Sequence, residues 1–222
     1  MFKPYFLYKL KEHNLMNKSI KNIIFDLGNV IINIDPDISI NKFKNLGIVN
    51  FDEIYSIMQQ TDVFDKLDTG KITLPEFRRA IREIAHINLT DMQIDDAWCA
   101  MLLDFPEENV KLLRKLRIEG YKLYLLSNTN EMHITFYTKY LKDMFGYDLL
   151  TTLFDRSFYS HEIGFRKPNR EAFEYVLKSE ELTPAETLFI DDLEPNVVAA
   201  RQTGIQAYHH RNGAQLVDLF VV

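Results

Sequence analysis

Three aspartates, a lysine and a serine stand where short apolar runs of this sequence come to an end. Asp26 closes the run Asn22-Ile-Ile-Phe and opens the segment Asp26-Leu27-Gly28-Asn29-Val30. Ser127-Asn128 follows the run Lys122–Leu126, and Lys167 lies within Gly164-Phe165-Arg166-Lys167-Pro168. Asp191-Asp192-Leu193-Glu194-Pro195-Asn196 closes the run Thr187–Ile190. If these runs are parallel strands, their ends share one edge and the side chains converge there. Crowded carboxylates repel, and burial raises their pKa further. The set therefore calls for positive partners: Lys167 and a hard divalent cation. Mg²⁺ takes a few carboxylates, waters and phosphate oxygens, which matches this donor set. Asp191-Asp192 also has a plainer reading, as a helix N-cap and a dipole-favoured acid ahead of Glu194–Thr203. Asp26 and Lys167, in the expected order along the chain, favour the site.

The elements that must position these residues can be read from periodicity. Asn22–Asp26, Lys122–Ser127, Arg156–Tyr159, Thr187–Asp191 and Gln206–His209 are short runs without helical spacing, as suits strands covered on both faces. Between them, Pro106–Ile118, Asn169–Lys178 and Glu194–Thr203 carry helical patterns, the first and last stopped by Gly120 and Gly204. Alternation of this kind predicts an α/β fold with a doubly wound parallel sheet, a Rossmann-like core. The stretch from Pro36 to Asp104 breaks the rhythm. It reads as four helices near Asp37–Leu46, Phe51–Gln60, Leu74–His86 and Asp91–Leu102, a small cap inserted after the first strand. The expected organisation is an arm over 1–20, a core over 21–35 and 105–222, and a cap over 36–104.

The ordered set Asp-x-x-x-Val, Ser-Asn, Lys-Pro and Asp-Asp-x-x-x-Asn, spread over about residues 20–210, closely resembles the four motifs of the haloacid dehalogenase superfamily. The helical insert resembles the cap of that superfamily. FDLGNV, LSNTN and GxRKP look most like its phosphatases of sugar phosphates such as glucose 1-phosphate. The resemblance implies a Mg²⁺-dependent phosphomonoester hydrolase with a small-molecule phosphate ester as substrate. It implies Asp26 as nucleophile, forming an aspartyl-phosphate. Ser127 and the Asn128 backbone N–H would bind the phosphoryl group, with Lys167 offsetting charge. Asp26, the Gly28 carbonyl and Asp192 would ligate Mg²⁺. Asp191 would orient Lys167 or share the metal's shell, and Asn196 would support the acidic loop.

One position departs from the pattern. Phosphatases of this family usually carry a second Asp two residues after the nucleophile, as general acid and base. Here that residue is Gly28. Such help is worth about 10²–10⁴-fold, so a slow enzyme is expected, or one that borrows a water, Asp35 or His133. Asp35 also reads as a turn or cap residue before Pro36, and His133 and His161 as structural hydrogen-bonding residues. Two other readings stay beside the phosphatase. A dehalogenase would use Asp26 on a carbon–halogen bond without metal, and a catalytically weak binding or regulatory protein would keep only the cap surface in use.

Composition narrows the field. Of 222 residues, 46% are hydrophobic and 13% aromatic, which excludes a disordered chain. Lys and Arg number 26 against 32 Asp and Glu, a net charge of −6 that argues against nucleic acid as partner. The basic sets Arg78, Arg79, Arg82 and Lys111, Arg114, Lys115, Arg117 lie among glutamates and read as solvated helix faces. The single Cys99 reads as a buried small hydrophobe in a reducing compartment. Residues 1–21 carry five lysines and no apolar stretch of a signal peptide, and nothing reaches membrane-span length. A cytoplasmic protein is expected, with monomer and dimer both open. Asp65–Glu76 mimics an EF-hand loop, but Leu67 and Thr69 stand at ligand positions, so a turn at Gly70 is the better reading.

Overall fold

The computed structural model of the chain describes residues 19–60, 62–211 and 213–220. Residues 1–18 of the expected arm lie outside them. Five strands pair in parallel: β1 (Asn22–Phe25), β2 (Lys122–Ser127), β3 (Arg156–Tyr159), β4 (Thr187–Asp191) and β5 (Gln206–His209), in the order β3-β2-β1-β4-β5. Period-two alternation sends Ile23, Phe25, Leu123, Leu125, Leu188 and Ile190 into one apolar cluster. Ile24, Tyr124, Leu126, Phe158 and Phe189 enter another. Both faces of the central strands β1, β2 and β4 are covered, which is why those runs lack a polar side, while the edge strands β3 and β5 are more open.

Between β1 and the next core helix come α1 (Pro36–Asn45), α2 (Phe51–Gln60), α3 (Val63–Asp68), α4 (Leu74–Ala85) and α5 (Asp91–Trp98), then a 3₁₀ turn over Cys99–Met101. Local signals set their starts. Asp35 caps α1 by accepting from Asp37 N, with Pro36 in the first turn. Capping boxes Thr73/Glu76 and Thr90/Gln93 open α4 and α5. The insert has its own apolar cluster around Phe43, Phe51, Phe77, Ile81, Ile94 and Trp98. Phe43 and Phe51 stack at 4.1 Å between centroids. The two connecting chains are laced together: Asp35 N donates to Met101 O (2.9 Å), Leu103 N to Asn33 O (3.0 Å) and Asn33 N to Asp104 O (3.0 Å).

The core continues with α6 (Glu107–Ile118), α7 (Glu131–Phe145), α8 (Leu149–Leu153), α9 (Ser160–Ile163), α10 (Arg170–Ser179) and α11 (Glu194–Gln202). Residues of α6, α7 and α8 join the first sheet cluster, and Phe173, Val176 and Ala200 of α10 and α11 join the second.

The structure differs from the periodicity at several places. The insert has five helices rather than four, because α3 forms over the start of the EF-hand-like stretch. The expected helix Asp91–Leu102 ends at Trp98, where the chain tightens into the 3₁₀ turn that returns it to the core. The helices α7, α8 and α9 add to the expected set. The start and end of α7 were marked in the sequence, by Asn130 accepting from His133 N and by Gly146 at a φ of 79°. Among the described residues, no helix is long and apolar enough to cross a membrane.

Candidate active site

β1 and β4 are neighbours, yet the chain runs outward from β1 to β3 on one side and to β5 on the other. Open parallel sheets bind ligands at such a switch point, beyond the carboxyl ends of the strands. Asp26 sits there, its N–H donating to Ile190 O (2.9 Å), one step before Asp191. Lys167 enters from the loop after α9. Its Nζ donates to Asp26 Oδ1 (2.6 Å) and Asp191 Oδ2 (2.7 Å). The ammonium also lies 5.4 Å from the centroid of the Phe189 ring. Lys167 is 1% exposed and Asp191 wholly buried.

Of this triad, Lys167 and Asp191 are each held by a second set of bonds. Asn128 pairs with the Lys167 peptide in both directions, Nδ2 donating to Lys167 O (2.7 Å) and Lys167 N donating to Oδ1 (2.8 Å). Asn196 Nδ2 reaches both Asp191 oxygens at 3.0 Å, and Leu193 N donates to Asp191 Oδ1 (2.8 Å). Asp191 thus does two things at once. It holds Lys167 and braces the turn into α11 through Leu193 N and Asn196, but the N-cap of the plainer reading falls to Leu193, without a side-chain cap bond. Asp192 differs. Its Oδ2 receives a long bond from Asn29 Nδ2 (3.4 Å), and it stays partly exposed. Asn29, in left-handed backbone, is fixed by accepting from Ile34 N (3.2 Å). His209 Nε2–H donates to Asp192 O (2.9 Å), a brace of the acidic loop that the sequence did not reveal.

Electrostatics follow from the burial. Burial pushes Asp26 up to about 7, against the pull of Lys167 and with Asp191 adding to the rise. Burial, and then Asp191, raises Asp192. Burial alone would lower Lys167, but Asp26 and Asp191 outweigh it and hold the ammonium charged. Asp26, Asp191 and Asp192 each offer an oxygen within 4.8 Å of the others. Three acids against one ammonium leave negative charge uncompensated, and an all-oxygen donor set suits a hard cation.

Beside the triad opens a crevice of about 360 Å³ between the strand ends and the insert. Gly28, Ser127 and Asn128 line its floor, with Ser127 4% exposed. Tyr55, Phe64 and Trp98 form an aromatic wall. The polar wall is shared between core and insert: Asp65 pairs with Arg166, and Asp68 Oδ1 accepts from Asn130 Nδ2 (3.5 Å). Asn130, Asp68 and Arg166 are residues of the crevice to which the sequence gave no role. Asn130 was visible as an N-cap, while Asp68 lay hidden inside the EF-hand-like stretch.

The secondary candidates resolve individually. Asp35 is spent on its helix cap. His133 stacks on Trp98 (5.4 Å) and donates Nε2–H to Trp98 O (3.3 Å); burial lowers it to about 4. His161 Nδ1–H donates to Thr129 O (3.1 Å), bracing the Ser-Asn-Thr loop. In the EF-hand-like stretch, Asp65 is engaged by Arg166 and Glu76 by Thr73, so its two ends serve other purposes. Of the basic sets, Arg78 forks onto Asp95 at 2.7 Å through both nitrogens, and Lys111 and Arg117 pair with Glu107 and Asp155.

Known proteins share this arrangement. The family of haloacid dehalogenase-like hydrolases matches residues 20–204. A D-ribitol-5-phosphate phosphatase of Bacteroides thetaiotaomicron is 31% identical over 195 residues, 88% of this chain and 94% of its own. A sesquiterpene phosphatase of Aspergillus oryzae is 27% identical over 199 residues, 87% of this chain and 91% of its own. The crystal structure of a haloacid dehalogenase-family enzyme from B. thetaiotaomicron, in complex with magnesium and inorganic phosphate, superposes with a TM-score of 0.83. It is 38% identical and covers 91% of this chain and 100% of its own.

Proposed function

The chain belongs to the haloacid dehalogenase-like hydrolases, and on that premise we propose that it is a Mg²⁺-dependent phosphomonoester hydrolase. Its substrate is a small sugar or polyol phosphate, and it acts through an aspartyl-phosphate intermediate. The observation that carries this reading is the Asp26–Lys167–Asp191 triad with the partly exposed Asp192 beside it.

The roles follow from the bonds. Lys167 holds one oxygen of Asp26, whose neighbours Leu27 and Gly28 line the crevice. Attack forms an Asp26 Oδ–phosphorus bond and breaks the ester P–O bond, releasing the alcohol, which takes up a proton. Water then cleaves the acyl phosphate, returning Asp26 and inorganic phosphate. Ser127 and the Asn128 backbone N–H receive phosphoryl oxygens, while the Asn128 side chain keeps Lys167 in place. Asp26, Asp192 and the Gly28 carbonyl would hold Mg²⁺, which when bound supplies charge neutralisation for the phosphoryl oxygens. Positioning and electrostatics carry most of the rate in such transfers. Asp191 is saturated by Lys167, Leu193 and Asn196, so it positions rather than ligates. The insert, residues 36–104, serves as the cap over a core of 21–35 and 105–222. Its own apolar cluster and the laced connecting chains support that division. A cytoplasmic setting accords with the lone buried Cys99.

A carbon–halogen substrate is less favoured, because Asp192 beside two further acids needs a cation that halide displacement does not use.

The test is phosphate release from sugar phosphates, nucleotides and small phosphoesters, with Mg²⁺ and with a chelator. Release that needs Mg²⁺ is expected. Asp26→Asn, nearly isosteric but a poor nucleophile, is expected to fall below a few per cent of the parent rate with unchanged circular dichroism. Release by folded Asp26→Asn at near the parent rate would overturn the covalent route.

A further inference from the structure

A carboxyl in the cap faces the same crevice with no assigned task. Asp68, the last residue of α3, lines the cavity and is partly accessible from it. Its hydrogen-bond partner among the described residues is Asn130, which belongs to the core.

That partner is oriented by bonds of its own. Asn130 Oδ1 accepts from His133 N (3.1 Å) as the cap of α7, so its Nδ2 must point the other way. There it meets two acceptors, Asp68 Oδ1 at 3.5 Å and His133 Nδ1 at 3.4 Å. Nδ1 of His133 is the acceptor because Nε2 carries the proton given to Trp98 O. Trp98 O, His133, Asn130 and Asp68 thus form one polar chain from cap to core and back to cap. It fixes the carboxylate at the crevice wall.

The other cap acid at this wall, Asp65, is matched by Arg166; Asp68 has no cation of its own among the described residues. A lone carboxylate in a ligand crevice selects for hydrogen-bond donors that carry no negative charge, and hydroxyl groups meet that need. Phe64, one turn before Asp68 on α3, and Trp98 stack at 5.0 Å and give the same crevice an apolar lining.

We propose that Asp68, steered by Asn130, reads the hydroxyl groups of the substrate and so selects polyhydroxylated monophosphates over esters with an apolar tail. This rests on the phosphatase reading above. It assigns a specificity residue to the cap rather than a step in the chemistry, and the test separates the two.

Phosphate release is measured with Mg²⁺ on a pentitol 5-phosphate and on n-pentyl phosphate. Both have primary-alcohol leaving groups, so differences in protonation of the leaving oxygen cancel in the ratio of kcat/KM. The parent is expected to favour the pentitol ester. Asp68→Ala is expected to lower the ratio about 10- to 100-fold, mainly through KM on the pentitol ester, as for loss of a hydrogen bond to a charged group. Asp68→Asn, nearly isosteric and keeping one acceptor oxygen, is expected to lower it less; circular dichroism confirms that both variants fold. A parent without preference for the pentitol ester, or a ratio unchanged in both folded variants, would overturn the proposal while leaving the phosphatase standing. Release from neither ester, nor from p-nitrophenyl phosphate, by the parent would overturn both.

Discussion

Gly28 and Asp68 are the residues at which this site departs most from a plain arrangement of acids around a lysine. Gly28 leaves the position two beyond Asp26 without a carboxyl, and Asp35 and His133 are committed elsewhere. Its backbone lies outside the left-handed region, and an added Cβ would stand 2.9 Å from Ile34 Cδ1, the end of a flexible side chain. Gly28→Asp is therefore expected to fold once Ile34 turns aside. It should raise turnover of primary-alcohol phosphates more than of aryl phosphates, whose phenolate hardly needs an acid. The readout is the ratio of the two rates, and an unchanged ratio would mean that another group already moves the proton. At Asp68, burial pushes the carboxyl up to about 6, with Asn130 pulling the other way. Tyr55, His133 and the Asp65–Arg166 pair surround it. A folded-state value above the unfolded one means that the folded chain holds the extra proton between about pH 4 and 6. Stability is then lost as pH rises through that window. Asp68→Asn should raise the unfolding free energy by about 1–3 kcal/mol at pH 7.5, the gain closing as pH falls to about 4. Denaturant unfolding at the two pH values checks this; an equal gain at both would assign the effect to something other than ionisation.

Among the elements, the six-residue helix α3 and the turn after it decide how the insert meets the core. Asp65 on α3 joins Arg166, Asp68 joins Asn130, and Gly70 lies against α9. Gly70 has a φ of +67°, and a Cβ there would overlap the carbonyl oxygen of His161, which is backbone and cannot swing away. Gly70→Ala should cost at least about 1 kcal/mol from the left-handed backbone alone, and more from the overlap. It should also raise KM by spoiling the fit of cap to core. Thermal unfolding with kinetics on a pentitol phosphate measures both; a variant with parental Tm and KM would show that the contact is dispensable.

For the whole molecule, the sheet collects charges from positions far apart in the chain and confines them beneath the insert. Asp26 meets Lys167 across 141 residues. Three acids within 4.8 Å strain the folded state without a cation, so Mg²⁺ should raise Tm, through binding that the unfolded chain cannot match. Asp192→Ala should abolish both that rise and the turnover. The rise in Tm with added Mg²⁺, read by calorimetry on parent and variant, tests the metal site independently of activity. A variant that keeps the full rise would remove Asp192 from the ligand set.

Much of this was legible in the residues themselves. The short runs without helical spacing mark the strands, and β2 to β5 fall where those runs lie; the most apolar, at β1, β2 and β4, form the covered centre of the sheet, with β3 and β5 at its more open edges. β1 ends one residue early, at Phe25, though Asp26 N still donates to Ile190 O. Asp26, Ser127 and Asp191-Asp192 could be singled out because acids and a hydroxyl at strand ends have a specific physical reason to be there; Lys167 reaches them instead from the loop after α9. Asn130 and Asp68 could not be singled out. Each looks ordinary in sequence, one an N-cap and the other a residue of a failed Ca²⁺ loop, and they are 62 residues apart. Their meeting depends on how the insert sits over the sheet, and that is set by packing among Trp98, Phe64 and His133, contacts to which no local periodicity points. Short-range propensity and alternation determined the strands and marked the acids and the lysine; only long-range packing decided which residues of the insert line the crevice, because a contact between distant segments leaves no periodic mark in either.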